Sequence, residues 1–521
     1  MSAERSRLFG RLHAAARCAA TPHAAGAVAV LVSAVMLLAK LDDFPAFVDE
    51  AVYARWALRL AESPSAETLW LSTHEDWKTP AFIWVLASTK RWLDDPILTG
   101  RLITSLSGLL TVALVFHAGS RLVGAWPAAI AAAVTAVSPA LVFTSRLALT
   151  DGLIVMLTAL VWALSARAAR GRLPHALGAG LVVALALWTK VSGALLLIIP
   201  AVGIMLVARL ALWRRALTLA ACIVPPSVAG IAFLLAPKSA QTFEHARGFV
   251  LTPDRLVAIP VGQWADNLSQ MGGWALAYLP AVSIVAAIAG LALPLVTRRR
   301  DDWWLWAVLV IWLGFHIVFG ARLYSRYALP ALVPLALLTA RTIAVIGAAL
   351  RQANQGHAAS LWMVGATFAV LLSLAVPALV VIVAPTRAAL SSDDRAQYIE
   401  EWSSGFGQTE ALQWIAEATA AEPGPAIVLT NHVYGAPRDL AVLTLRNRPD
   451  VATHVETRIR HPAGGVADAW RRHGVPVYAL INGNQDDEAT FLHLNPEFTP
   501  VAEFERPGAK TKVSVLEFRP S

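Results

Sequence analysis

Long apolar runs recur along the first three quarters of the chain, most of them followed within a few residues by arginine, and this alternation predicts membrane-spanning helices. Crossing roughly 30 Å of hydrocarbon takes about 20 residues of helix. Eleven runs meet that need: His23 to Leu41, Leu102 to Gly119, Leu122 to Phe143, Leu147 to Ala166, Leu173 to Trp188, Val191 to Ala208, Ala216 to Ala236, Trp274 to Val296, Trp303 to Phe319, Tyr327 to Ala349 and Leu361 to Ala384. The fifth and sixth nearly touch, separated by Thr189-Lys190. The pattern changes after Pro385, where short apolar runs such as Ala426 to Leu429, Val475 to Leu480 and Lys512 to Phe518 read as strands between polar segments. This predicts a membrane domain over 1–385 and a small extracytoplasmic α/β domain over 386–521.

The charge pattern orients the spans. The first run follows Arg5, Arg7, Arg11 and Arg17 but lacks a small-residue cleavage site, so it reads as a retained anchor. With the N-terminus cytoplasmic, the inner connections carry Arg121, then Arg167, Arg170 and Arg172, then Arg209, Arg214 and Arg215, then Arg298, Arg299 and Arg300, then Arg341 and Arg351. Each inner connection is basic, as the positive-inside rule asks. The expectation is a multi-pass protein of the inner (plasma) membrane with its long loops and C-terminal segment outside. The outer loop over 42–101 holds Trp56, Trp70, Trp77, Trp84 and Trp92, an aromatic density that predicts helices lying along the membrane interface.

Composition agrees. The 521 residues are 57% hydrophobic and 15% charged, against about 25% charged in a soluble domain. The formal charge of +8 does not indicate nucleic acid, because the basic residues sit in short loops between spans. The last 136 residues hold 18 of the 35 acidic ones. Two cysteines provide no disulfide framework. The sequence contains no P-loop, no H-E-x-x-H helix and no D-x-D pair, so a nucleotide-charged donor has no motif behind it.

Candidate chemistry lies at the outer boundary. Asp49-Glu50 opens an amphipathic stretch after the first span, and Asp151 stands at the outer mouth of the fourth. Acids at helix starts are commonly caps, but both lie at one depth, where a base and an orienting partner serve catalysis. Lys78, Arg146, Lys190, Arg322 and Arg326 break the orientation rule by lying outside. Each taken alone could snorkel to headgroups; several together suit a phosphate. His74 and Glu75, with an outer histidine such as His245, are candidate ligands for a divalent metal ion, though two side chains do not make a site.

In order, Asp49-Glu50 with Tyr53, Lys78-Thr79-Pro80 ahead of Phe82 and Trp84, Arg146-Leu147 with Thr150-Asp151, Thr189-Lys190, and Ser325-Arg326-Tyr327 leading to Pro330 resemble the GT-C glycosyltransferases of the protein O-mannosyltransferase and lipid A aminoarabinose transferase type. Thr79 departs from that pattern, which more often has Lys-Pro-Pro. The segment from Asp394 to Gly407 is similar to the stretch after the last span in bacterial members. The resemblance implies a GT-C-like polytopic α-helical membrane protein with about 11 transmembrane helices and a C-terminal soluble α/β domain. It implies transfer of a sugar from a polyprenyl-phosphate donor, lodged among membrane lipid, to an acceptor hydroxyl on protein, lipid A or envelope glycan, with inversion. Asp49 would activate the acceptor with Glu50 and Asp151 beside it. Lys78, Lys190, Arg322 and Arg326 would hold the donor phosphate, and Tyr53, Arg146 and Tyr327 would line the substrate. A secondary transporter or a flippase of an envelope lipid or glycan is the alternative. It predicts charged residues at mid-membrane and paired broken helices, whereas the deep parts of these spans are almost free of acids.

Overall fold

The computed structural model describes residues 21–90, 94–421, 424–431, 435–456, 475–483, 486–508 and 510–518. The N-terminal arginines, Cys18 and Trp92 lie outside the described residues. Six described helices are long and apolar enough to cross a bilayer: Pro96–Leu122, Thr150–Ala168, Leu212–Leu234, Arg300–Phe319, Ser325–Gln352 and Gly356–Val383. Ala125–Ala136 and Pro139–Ser145, bent by 56°, make a seventh if they act as one span. Four shorter apolar helices, Pro22–Leu38, Leu173–Thr189, Val191–Leu206 and Ala281–Thr297, occupy the remaining runs. Length and composition thus give six or seven spans where the apolar runs gave eleven. In two of the four shorter helices, local backbone chemistry accounts for the shortening. The run Trp274 to Val296 is divided at Leu279-Pro280, its first part ending the helix Val261–Tyr278, and the run from Val191 begins as a 3-10 turn over Val191–Leu197.

The chain forms two compact units. The first comprises residues 1–40, 72–82 and 101–389. Its core joins Val115, Trp162, Trp304, Leu305 and Leu337, with the Trp162 and Trp304 rings 5.0 Å apart and Trp304 Nε1 donating to the Ile199 carbonyl at 2.9 Å. Leu173–Thr189 packs closely on Leu212–Leu234. A Cβ at Gly180 would stand 2.7 Å from the Cys222 carbonyl oxygen, so only glycine lets these backbones approach.

The second unit comprises residues 41–71, 83–100 and 390–521. The first outer loop, read from sequence with the membrane domain, is therefore largely part of the unit that carries the C-terminal sheet. That sheet has strands β1 (Ala426–Asn431), β2 (Val451–Glu456), β3 (Val477–Asn482), β4 (Thr499–Glu505) and β5 (Lys512–Phe518) in the order β2-β1-β3-β5-β4. β1 pairs parallel with β2 and β3; β5 runs antiparallel to β3 and β4. β3 is buried along its whole length and reads as a continuous apolar run, as a central strand should. β4, exposed and carrying Pro500, Glu503 and Glu505, is suited to an edge.

One face of the sheet is covered by Gln408–Ala421, Arg438–Thr444 and the first-loop helix Val48–Glu62, whose Ala51 and Ala54 join Leu412, Ile415 and Val428 in one core. An ion pair reinforces that packing. Arg55 Nε lies 2.7 Å from Asp439 Oδ1, the Asp439 side chain fully buried, and Asp439 Oδ2 accepts from the Gly435 amide at 2.6 Å. Gly435, at φ +92°, lies so close to Val48 that a Cβ there would collide with it. The aromatics of the loop divide accordingly: Trp56 is fully buried, whereas Trp70 and Trp84 meet edge to face at 5.7 Å. Trp56 was expected at the membrane interface; its burial follows from lying on the face of the helix that also carries Val52 and Tyr53 into the interior.

Candidate functional site

Three connections of the first unit converge on Asp151. The helix Thr150–Ala168 places Asp151 in its first turn, where the helix dipole favours a carboxylate. Leu173–Thr189 ends at Lys190, whose extended backbone (φ −160°) turns the chain into the following 3-10 segment. Arg326 lies in the 3-10 turn Ser325–Ala331 that opens the helix Leu332–Gln352. Lys190 Nζ stands 2.6 Å from Asp151 Oδ1, and Arg326 Nε stands 3.7 Å from Asp151 Oδ2. The side chains are 21%, 7% and 12% exposed for Lys190, Asp151 and Arg326, so the cluster is largely shielded but open at its cationic side. Two cations thus share one carboxylate, and both are residue types that also bind phosphate oxygens.

Aromatic rings frame the cations. Lys190 Nζ is 4.6 Å from the centre of the Tyr327 ring, and the Arg326 guanidinium is 4.5 Å from that of Tyr324. The two tyrosines meet edge to face at 5.6 Å. Beneath Tyr327, Trp312 Nε1 donates to its carbonyl at 2.9 Å, and the buried His316 ring lies 6.0 Å from its ring. The ring contacts continue outward through Phe249 and His245 to Trp77, which stacks on His245 at 4.9 Å. The segment carrying Phe249 is fixed by an antiparallel bridge: Leu251 N donates to Phe319 O at 2.7 Å and Ala321 N to Phe249 O at 3.0 Å.

Lys78 belongs to the same neighbourhood. Thr79 Oγ1 donates to the Thr189 carbonyl at 2.7 Å, which ties the residue after Lys78 to the residue before Lys190. Lys78 Nζ pairs with Asp76 at 3.0 Å, and its backbone is held by Ser72 O and Thr73 Oγ1. Thr79 thus has a structural use that a proline at this position could not supply, since proline has no hydroxyl to donate.

The remaining predicted residues fall elsewhere. Arg146 is buried and caps the end of the helix Pro22–Leu38: its guanidinium donates to the carbonyls of Met36 at 3.3 Å, Ala39, and Lys40 at 2.8 Å. Arg322 is exposed. In the second unit, Glu50 is fully buried and Oε2 accepts from the Phe47 amide at 2.9 Å, closing the start of its helix. Asp49 beside it is half-buried, and Tyr53 is buried with its ring 6.1 Å from that of Trp56. Among the described residues no group of three or more His, Cys, Asp or Glu side chains is gathered for a metal, and His245 uses its ring face on Trp77. Sequence reading passed over His316 and Trp312. A histidine in the last turn of a span, near Arg322 and Arg326, was the available signal for the former; a span tryptophan gives none.

Residues 77–235 match the dolichyl-phosphate-mannose-protein mannosyltransferase family. That stretch holds Lys78, Arg146, Asp151 and Lys190 and ends before Arg326. No curated protein matches the chain. Among solved structures, ArnT from Cupriavidus metallidurans in the apo state is similar with a TM-score of 0.56 and 17% identity, over 94% of this chain and 96% of that one. The same protein bound to undecaprenyl phosphate gives 0.54, 17%, 94% and 96%. The oligosaccharyltransferase of Archaeoglobus fulgidus, tethered to an acceptor peptide containing the NVT sequon, gives 0.53 and 10% identity, over 94% of this chain and 74% of that one. At such identities the likeness is one of fold. The chain has the GT-C fold, a polytopic helical membrane architecture with a small C-terminal sheet.

Proposed function

We propose, for this chain of GT-C membrane glycosyltransferase architecture, that it moves a sugar from a polyprenyl-phosphate carrier to an acceptor hydroxyl at the extracytoplasmic surface. The observation that carries the reading is the gathering of Lys190 and Arg326 on Asp151, flanked by Tyr327 and Tyr324, at one end of the spans. A lipid phosphodiester meets those needs: its anionic head requires cations in a shielded place and its sugar suits aromatic faces, while its tail lies among lipid. ArnT, similar in fold, has been solved with undecaprenyl phosphate bound. The outward assignment is supported by the arginines of the inner connections.

In this reading the acceptor oxygen attacks the anomeric carbon from the face opposite the phosphate, and the bond from that carbon to the phosphate oxygen breaks. The carrier phosphate leaves with the electron pair, and the acceptor proton passes to a carboxylate. Inversion at the anomeric carbon follows. Lys190 and Arg326, with Lys78 from the neighbouring segment, stabilise the charge that grows on the departing phosphate. Asp151 is a positioning residue that holds the two cations in place. Asp49 takes the proton; it is supported in this role by its resemblance to the first-loop acid of the family and by its accessibility beside Glu50, which is committed to the helix start. Arg146 supports the structure around the site instead of touching substrate.

The test is incubation of the purified protein with labelled polyprenyl-phosphate sugars and extracted envelope fractions. Label should move to an acceptor, and Asp49→Asn should lower transfer at least a hundredfold while the protein stays folded. Near-normal transfer by that variant removes the base assignment, and no transfer from any donor removes the reading.

A further inference from the structure

The opposite end of the first unit holds a second concentration of charge that the transfer reaction does not use. The helix Thr150–Ala168 carries Asp151 at its start and leads to Arg170 just past its end, about 28 Å away at 1.5 Å per residue. Arg300–Phe319 runs the other way, with Arg300 at this far end and Phe319 beside the tyrosines. Here a cavity of about 570 Å³ is lined by Arg170, Arg209, Arg298, Arg299, Arg300 and Asp301 together with apolar residues. Five positive charges face one negative charge.

These arginines come from three separate connections: the end of one span, the link after Val191–Leu206, and the turn between Ala281–Thr297 and Arg300–Phe319. The positive-inside rule requires basic residues in such connections but not their convergence on one concavity. Mutual repulsion would spread them along the surface unless something anionic rewarded their approach. Arg170 is held in place, donating to the carbonyls of Ala166 and, at 3.1 Å, Arg121. Arg298 adopts a left-handed backbone (φ +51°), unfavourable for a residue with a Cβ, at the tip of the turn. Asp301 offsets one of the five charges: Arg299 Nη2 lies 3.8 Å from its Oδ2, while its buried Oδ1 has no hydrogen-bond partner.

We propose that this cavity binds a phosphate-bearing anion, in a site separate from the donor site. Guanidinium groups bind phosphate oxygens in pairs through parallel N–H donors, and basic recesses between spans at the inner surface suit phosphate headgroups. The phosphate is supplied either by an anionic phospholipid or by a free polyphosphate on that side of the membrane.

The two sources separate in one experiment on the full chain, delipidated in detergent. Inorganic pyrophosphate is titrated calorimetrically, and retention of phosphatidylglycerol against phosphatidylcholine is read by native mass spectrometry. Both are repeated with Arg209→Gln, Arg300→Gln and the double variant. Pyrophosphate binding weakened at least tenfold in the double variant identifies a free phosphate. Selective phosphatidylglycerol retention lost in the double variant, without pyrophosphate binding, identifies a lipid headgroup. If the double variant does not fold, each single variant should still weaken binding about threefold. Absence of both ligands from the wild type, or binding unchanged by the substitutions, overturns the proposal. Comparison with Lys190→Met separates this site from the far one, since that change should leave the cavity's ligand in place.

Discussion

Replacing Lys190 by methionine removes the amine 2.6 Å from Asp151 and leaves Arg326, at 3.7 Å, as the cation facing that carboxylate within the cluster. Losing one preorganised donor to a departing oxyanion costs about 10²- to 10³-fold in turnover, about 3–4 kcal/mol. A second loss accompanies it. At 4 Å and an effective dielectric of 20, two unit charges attract by about 4 kcal/mol. Arg326 and Asp151 are 12% and 7% exposed, so solvent screening lowers but does not remove that attraction. In the single variant Arg326 is therefore drawn to Asp151 and is less available to the phosphate. The combination Lys190→Met with Asp151→Asn releases it, and transfer should recover about tenfold relative to Lys190→Met alone. The assay is sugar transfer from a labelled polyprenyl-phosphate donor at saturating and limiting concentrations, with size-exclusion profiles to verify folding. A non-additive cycle is the signature, because contacting residues couple. Transfer by Lys190→Met within threefold of wild type, or a double variant no better than the single, would refute the account.

The other predictions concern stability. Asp439→Asn should destabilise the second unit by about 3–5 kcal/mol, because Arg55 and Arg438 then lose the buried carboxylate that faces them; limited proteolysis of the full chain reads this as faster cleavage, and unchanged protection would count against it. Arg146→Met should expose the carbonyls ending Pro22–Leu38 to an apolar side chain and lower the thermal midpoint by several degrees, with the loss of folded protein exceeding any loss in activity per folded molecule. Burial pushes the Asp486 carboxyl above the usual carboxylate range, although Asn482 N and Asn431 Nδ2 donate to it. A raised folded value means that ionised Asp486 costs stability above that value, and the cost is relieved as pH falls through it. The stability of wild type relative to Asp486→Asn should therefore rise between pH 7 and pH 4; a pH-independent difference would exclude the effect.

The features readable along the chain were those set by the local environment of each segment. Apolar runs marked the spans, and Ala426 to Leu429 and Lys512 to Phe518 marked strands, because hydrophobic periodicity records which face meets lipid, core or water. Lys190 and Arg326 drew notice because each broke the orientation rule. Asp151 was singled out as an acid at the same boundary, although a helix start also fits an ordinary cap; its pairing with both cations was not legible. Glu50 and Asp49 were indistinguishable as neighbouring acids until one was found turned back onto the Phe47 amide. Arg146 likewise had the charge of a ligand and the contacts of a cap.

The sequence by itself determined a many-span membrane protein, the basic connections between its spans, a terminal sheet and the residue types suited to phosphate. Tertiary structure decided which charges meet: Asp151 with Lys190 and Arg326, Arg55 with Asp439, and five arginines around one cavity. It also decided that residues 41–71 and 83–100 of the loop after the first apolar helix belong to the unit of the C-terminal sheet. Hydrophobic patterning is a property of a segment and its solvent and so is written locally. An ion pair between distant connections depends on how helix ends are brought together, which no single segment encodes.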